Sequence, residues 1–123
     1  MPAFDRETLA QLGREQEVRI VTTRPDDSTV GTIIWVMVDG DDAFIRSWKG
    51  ERAHWFQAAV DRPDEVELFV AGRRLPVRVT SATDDSSVAR CSSALVAKYA
   101  GDPAVRSLLR PASLGATLRV EPR

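Results

Sequence analysis

Thr32-Ile33-Ile34-Trp35-Val36-Met37-Val38-Asp39-Gly40, followed after Asp41-Asp42 by Ala43-Phe44-Ile45-Arg46-Ser47-Trp48, decides how this chain folds. The first run is the most apolar of the sequence and is rich in β-branched residues. It is short for a buried helix and stops at Asp39-Gly40, a dipeptide suited to a hairpin turn. The second run is then its partner strand. Along it Phe44, Arg46 and Trp48 face one way, and Ile45 and Ser47 the other, because side chains alternate along a strand.

Working outward, Val18 to Thr23 is a β-branched strand, and Arg24-Pro25-Asp26-Asp27-Ser28 has turn chemistry. Asp5 to Gly13 predicts a short helix, with Asp5 as its cap, Leu9 and Leu12 on one face and Gly13 at its C-terminal cap. Downstream, Gly50 ends the Ala43 to Trp48 strand. Glu51 to Val60 predicts a helix with Trp55, Phe56, Ala59 and Val60 on one face, and Pro63 stops it. Glu65 to Ala71 and Leu75 to Thr80 are strands joined through Gly72-Arg73. Thr83 and Asp84 open a helix with Val88, Cys91, Leu95 and Tyr99 at helical spacing and Gly101 as its stop. Asp102-Pro103 opens a short helix to about Leu109, which Pro111 ends. Ala116 to Val120 is a last strand. Six short strands, tight hairpins and few helices predict a mainly β, α+β small barrel.

The composition narrows the function. At 123 residues the chain is one domain, 1–123, with an N-terminal helical segment (1–16) ahead of the barrel and helices (17–123). Seventeen Lys and Arg against 18 Asp and Glu give a net charge of −1, which argues against a general nucleic-acid binder. One cysteine and one histidine exclude an intrachain disulfide, a cysteine-based zinc site and a His-rich metal site. The N-terminus lacks an apolar signal region, and no apolar stretch approaches the roughly 20 residues of a membrane span. A soluble cytoplasmic protein without a membrane partner is the expectation.

Phe44-Ile45-Arg46-Ser47-Trp48-Lys49-Gly50-Glu51-Arg52 is the segment richest in chemistry. A strand delivers Arg46 and Ser47, a glycine turns the chain, and a helix begins. Free N–H groups at a helix start favour a phosphate, and Ser47, Lys49 and Arg52 add a hydroxyl and two cations. Ser47 and Lys49 point the same way if the strand continues through Trp48. The plainer reading is a solvated turn and helix start. No Walker loop and no G-x-G-x-x-G is present. Trp35 and Trp48 either stack on a flat ring or pack the core or a dimer interface, whereas Trp55, beside Phe56, is placed in the core. His54 has no Ser or Cys partner and is placed at the surface or in packing. Cys91 is a small core residue, and Asp84 and Asp85 are helix-start charges. No carboxylate pair stands out as an acid/base couple, so catalytic residues are not assigned.

Thr32 to Gly40, Ala43 to Gly50, Trp55-Phe56, Val66-Glu67-Leu68-Phe69-Val70 and the tail Ala97-Lys98-Tyr99 … Ala116 to Arg123 together resemble the FMN-binding split-barrel superfamily. That group includes pyridoxamine-phosphate-oxidase-like proteins and deazaflavin-dependent reductases, and the closer resemblance is to a small bacterial family of unknown function within it. It spans roughly residues 17–123. The resemblance implies a six-stranded antiparallel split β-barrel with a few short flanking helices, forming a homodimer with the cofactor at the subunit interface. It also implies FMN or the 8-hydroxy-5-deazaflavin coenzyme and an oxidoreductase passing hydride to a small molecule. The second strand, here Thr32, Ile33 and Ile34, would run past the ring. Trp35 and Trp48 would wall it, and Ser47, Lys49, Gly50 and Arg52 would form the phosphate end. The chain departs from the group in two ways: Ile33-Ile34 stands where many relatives carry a proline element, and there is no added substrate domain. Both leave open a non-catalytic split-barrel module that has lost the cofactor.

Overall fold

The computed structural model describes residues 3–123. In chain order the elements are α1 (Arg6–Arg14), β1 (Val18–Thr23), β2 (Thr29–Ile34), β3 (Val36–Asp39), β4 (Asp42–Arg46), a 3-10 turn (Gly50–Arg52), α2 (His54–Asp61), β5 (Val66–Val70), β6 (Arg73–Ser81), α3 (Asp85–Lys98), α4 (Val105–Leu108), α5 (Pro111–Leu114) and β7 (Thr117–Pro122). Among the described residues, no helix is long and apolar enough to cross a membrane.

The strands form one sheet in the order β2-β1-β5-β6-β7-β4-β3, with every neighbouring pair antiparallel. Its two ends, β2 and β3, are consecutive in the chain and separated only by Trp35. The predicted strand through Thr32 to Val38 is therefore one extended segment bent at Trp35. Its first part pairs with β1 (Ile34 opposite Val18) and its second with β4 (Val36 opposite Ile45). Bending lets one segment serve both margins of a curled sheet, and this accounts for seven strands where six were expected. The architecture is an α+β split β-barrel with short flanking helices.

Alternation along β4 sorts the side chains as expected. Ala43 and Ile45 enter the barrel core with Val18, Ile20, Leu68, Val77 and Val120. Phe44 points outward into a second apolar cluster with Met37, Cys91, Leu95 and Tyr99, over which α3 lies. Cys91 is buried and free, and burial pushes its thiol up to about 11. Asp5 and Asp84 cap their helices, accepting from the backbone N–H of Thr8 (2.7 Å) and Ser87 (3.1 Å).

Several predicted boundaries differ. Gly13 lies inside α1, whose C-terminal cap is Glu15. The hairpin between β5 and β6 turns on Ala71-Gly72, both at positive φ, with Val70 opposite Arg73. Pro111 opens α5 rather than merely closing the preceding helix, because proline lacks an N–H that a first helical residue does not need.

Candidate functional site

β4 ends at Arg46, so the strand does not continue through Trp48 and the expected strand-like alignment of Ser47 with Lys49 does not arise. A turn takes its place. The Ser47 amide donates to the Ala116 carbonyl (3.2 Å), and the Gly50 amide donates back to the Ser47 carbonyl (3.1 Å). Gly50 has φ +68°, and a Cβ there would lie 2.9 Å from the Ala112 carbonyl oxygen. Only glycine lets the chain reverse this close to α5. The predicted helix from Glu51 consequently starts late: the 3-10 turn intervenes, and α2 opens at His54 without a side-chain cap.

This turn, the β2–β3 bend, the start of α2 and α4 enclose a cavity of about 520 Å³. Of the nine candidate residues, Thr32, Ile33, Ile34 and Trp35 line one side, and Ser47, Trp48, Lys49 and Arg52 line another. Gly50 is buried and shapes the turn without lining the cavity. Six lining residues were outside the candidate set: Arg46, Ala53, His54, Trp55, Ala104 and Leu108. Trp55 is buried and meets Phe56 edge-on, as expected of packing, but one side of it reaches the cavity. Strand alternation could have flagged Arg46. Nothing in the sequence placed Ala104, the N-terminal cap of α4, or Leu108 within that helix, both far along the chain from the turn.

The lining is cationic and aromatic, with no Asp or Glu. Ser47 is fully buried, and its Oγ has no hydrogen-bond partner. A buried hydroxyl left unpaired costs about 1–3 kcal/mol; Thr22 Oγ1 and Arg119 Nε are buried without a partner in the same way. Lys49 and Arg52 are exposed and make no ion pair among the described residues; the Lys49 ammonium lies 5.9 Å from the Trp48 ring centroid. β2 ends the sheet order, so one row of its backbone groups faces no strand.

The wall is held from behind. Trp35 lies flat on Tyr99, with ring centroids 3.8 Å apart and planes 4° from parallel. The Tyr99 hydroxyl donates to the Gln16 carbonyl (2.8 Å), and burial pushes this phenol up to about 12. Lys98 Nζ donates to the carbonyls of Val36 (2.8 Å) and Leu12 (2.9 Å), tying α1 to the residue after Trp35; burial brings its ammonium down to about 8. Arg46 is buried without a carboxylate. Its Nε donates to Thr117 Oγ1 (2.8 Å), one terminal nitrogen to Ser92 Oγ (3.0 Å) and the Leu108 carbonyl (3.1 Å), and the other to the Val88 carbonyl (3.1 Å). Burial lowers its pKa. Arg46 thus pins α3, α4 and β7 to the end of β4.

A curled sheet bent at a single residue, with a cleft at the bend, is a split-barrel fold, and solved structures share it. Campylobacter jejuni ChuZ superimposes with a TM-score of 0.74 at 12% identity over 94% of this chain and 50% of ChuZ, so the chain spans half the length of that protein. A pyridoxamine 5'-phosphate oxidase candidate from Listeria innocua gives 0.64 at 13% identity over 95% of this chain and 90% of its own. An F420 reductase gives 0.54 at 16% identity over 93% and 91%. Residues 8–120 match the bacterial family described as "Uncharacterized protein conserved in bacteria (DUF2255)", and the chain belongs to it. No curated protein matches the sequence.

Proposed function

We propose that the chain binds a phosphorylated flavin-type cofactor, FMN or the 8-hydroxy-5-deazaflavin coenzyme, in the 520 Å³ cavity and works as an oxidoreductase on a small molecule. The observation that carries this reading is the cavity lining: Lys49 and Arg52, both exposed, stand beside Trp35, Trp48 and Trp55 with no carboxylate. When bound, the cofactor supplies the hydride carrier. The chain's own residues hold it. Ser47, Lys49 and Arg52, with the uncapped N–H groups of α2, would take the phosphate. The free edge of β2 at Thr32, Ile33 and Ile34 would meet the polar rim of the ring, with Trp35 and Trp48 against its faces. Trp35 has little freedom to move, because Tyr99 backs it. Two fold neighbours bear redox names, an oxidase and an F420 reductase, which supports redox work and keeps both cofactors in play.

Ile33 and Trp48 are more than half exposed, at 57% and 58%, and both line the cavity. Large apolar groups so placed favour a homodimer that covers the site, and Ile33→Asp would then shift sedimentation toward the monomer. The free Cys91 suits the reducing cytoplasm. A second reading, a split-barrel binding module without redox chemistry, draws on the exposure of Lys49 and Arg52 and on the lack of any acid/base pair in the cavity.

All three tryptophans line the cavity, so their fluorescence reports on it directly. FMN and the deazaflavin coenzyme are titrated separately, with riboflavin as the phosphate-free control. Saturable quenching by one phosphorylated cofactor, with Lys49→Ala weakening it about tenfold, is the expected result. No saturable response to either cofactor would overturn the cofactor reading in favour of the second one.

A further inference from the structure

We infer that the chain has a second site, separate from the candidate cavity: a cleft at Lys98 that takes a small oxo acid, held by Arg14 and joined reversibly to the Lys98 amine as an imine. The cleft has a volume of about 440 Å³ and lies where α1 meets α3 and β3. It shares no lining residue with the candidate cavity. Gly13, Val38, Ala94 and Ala97 give it small, apolar walls, and the ionisable residues lining it are two cations, Arg14 and Lys98.

Lys98 Nζ has two protein partners, the carbonyls of Val36 (2.8 Å) and Leu12 (2.9 Å). An ammonium has three N–H donors, whereas a neutral amine has two and a lone pair. Two carbonyls take both hydrogens of the neutral amine, so deprotonation costs this site no hydrogen bond. The lone pair is left in the one direction that no protein oxygen fills. Burial works the same way and lowers the ammonium to about 8. Two groups favour the charged form without pairing with it: Glu15, which follows Arg14, and the Tyr99 ring, whose centroid is 5.1 Å from Nζ. Val36 and Val38 on β3 and Ala94 and Ala97 on α3 do not ionise. A lysine that is partly desolvated and stands beside a second cation is the kind activated for attack on carbonyl carbon.

Arg14 supplies the other half of the site. It is the last residue of α1, is exposed, and makes no hydrogen bond or ion pair among the described residues. A guanidinium holds a carboxylate through two parallel hydrogen bonds. The ligand that satisfies both groups has a carboxylate at one end and an aldehyde or ketone carbon at the other. The amine lone pair attacks that carbon. The carbonyl oxygen takes up two protons and leaves as water, and a C=N bond remains. No oxidant or reductant is needed, and water reverses the step.

Lys49 is the chain's other lysine and is exposed, which provides an internal comparison. The full chain is incubated near neutral pH with glyoxylate and sodium cyanoborohydride, which reduces an imine to a stable secondary amine, and peptide mass spectrometry locates the adducts. Lys98 should be labelled about tenfold faster than Lys49, since only a neutral amine attacks. In the urea-unfolded chain the two lysines should be labelled equally. Acetaldehyde, which has no carboxylate, should lower the preference for Lys98, and so should Arg14→Gln with glyoxylate. Equal labelling of Lys98 and Lys49 in the folded chain would overturn the site. A preference for Lys98 as strong with acetaldehyde as with glyoxylate would overturn the oxo-acid class. A preference unchanged in Arg14→Gln would overturn the role of Arg14.

Discussion

Two pairs of basic residues stand on either side of the same wall. Arg46 and Lys98 brace it, the first buried with one part at the cavity and the second half-buried behind, and between them they donate to six protein oxygens across α1, α3, α4, β3 and β7. Lys49 and Arg52 lie in front of it, exposed, with no protein oxygen as partner among the described residues. None of the four is neutralised by a carboxylate. The difference lies in who supplies the acceptors. Behind the wall, backbone carbonyls and hydroxyls from distant segments offset the cost of burial, and the cations act as struts. In front, the two cations face solvent. The comparison separates residues that shape the cavity from residues that are free to bind within it.

The sharpest way to break this division is Arg46→Met. It strips partners from Thr117, Ser92, Leu108 and Val88 at once and should cost about 3–4 kcal/mol in urea unfolding. A loss below about 1 kcal/mol would mean that Arg46 is not a strut.

Next comes Lys98, whose signature is a pH dependence. Its ammonium falls to about 8 in the folded chain from an ordinary 10.5. Below pH 8 both states are charged and the folded state carries the burial cost. Above pH 8 the folded state sheds the proton first, so stability should rise with pH. The rise is at most about 1 kcal/mol, because the group is only half-buried and solvent screens it. The window closes near pH 9, above which Cys91 and Tyr99, raised to about 11 and about 12, act in the opposite sense. Wild type should therefore unfold at a higher urea midpoint at pH 9 than at pH 7. Lys98→Met should lose that difference.

The smallest stability effect belongs to the front pair. Lys49→Ala and Arg52→Ala should each change unfolding free energy by less than about 0.5 kcal/mol, since neither side chain is paired. A melting-temperature drop comparable to that of Arg46→Met would erase the distinction between front and back.

Much of this arrangement was legible before folding because it depends on near neighbours. Alternation in Ala43 to Arg46 sorted the side chains between barrel and α3, Asp39-Gly40 marked the hairpin, and Asp5 and Asp84 announced their helices. The clustering of Ser47, Lys49 and Arg52 within six positions also made a candidate site readable. Its geometry was not. Ser47 and Lys49 reach one cavity through a turn locked by Gly50 against Ala112, sixty-two residues further on, and no local pattern carries that contact. His54 read as a surface residue, which it is, yet the late start of α2 puts it on the cavity.

By itself, then, the amino-acid order determined where strands, hairpins and helix caps form, because periodicity and turn chemistry act over a few residues. It also determined that any anion must be met by a local cluster, since the net charge is −1. Only the tertiary structure decided that the second strand breaks at Trp35 to serve both margins of the sheet. Only there does Arg46 find its oxygens 42 to 71 positions away, and only there does a buried hydroxyl at Ser47 remain without one. These are outcomes of closure: a curled sheet must bend somewhere, and the residues at the bend and beneath it take partners from whichever segments closure brings against them.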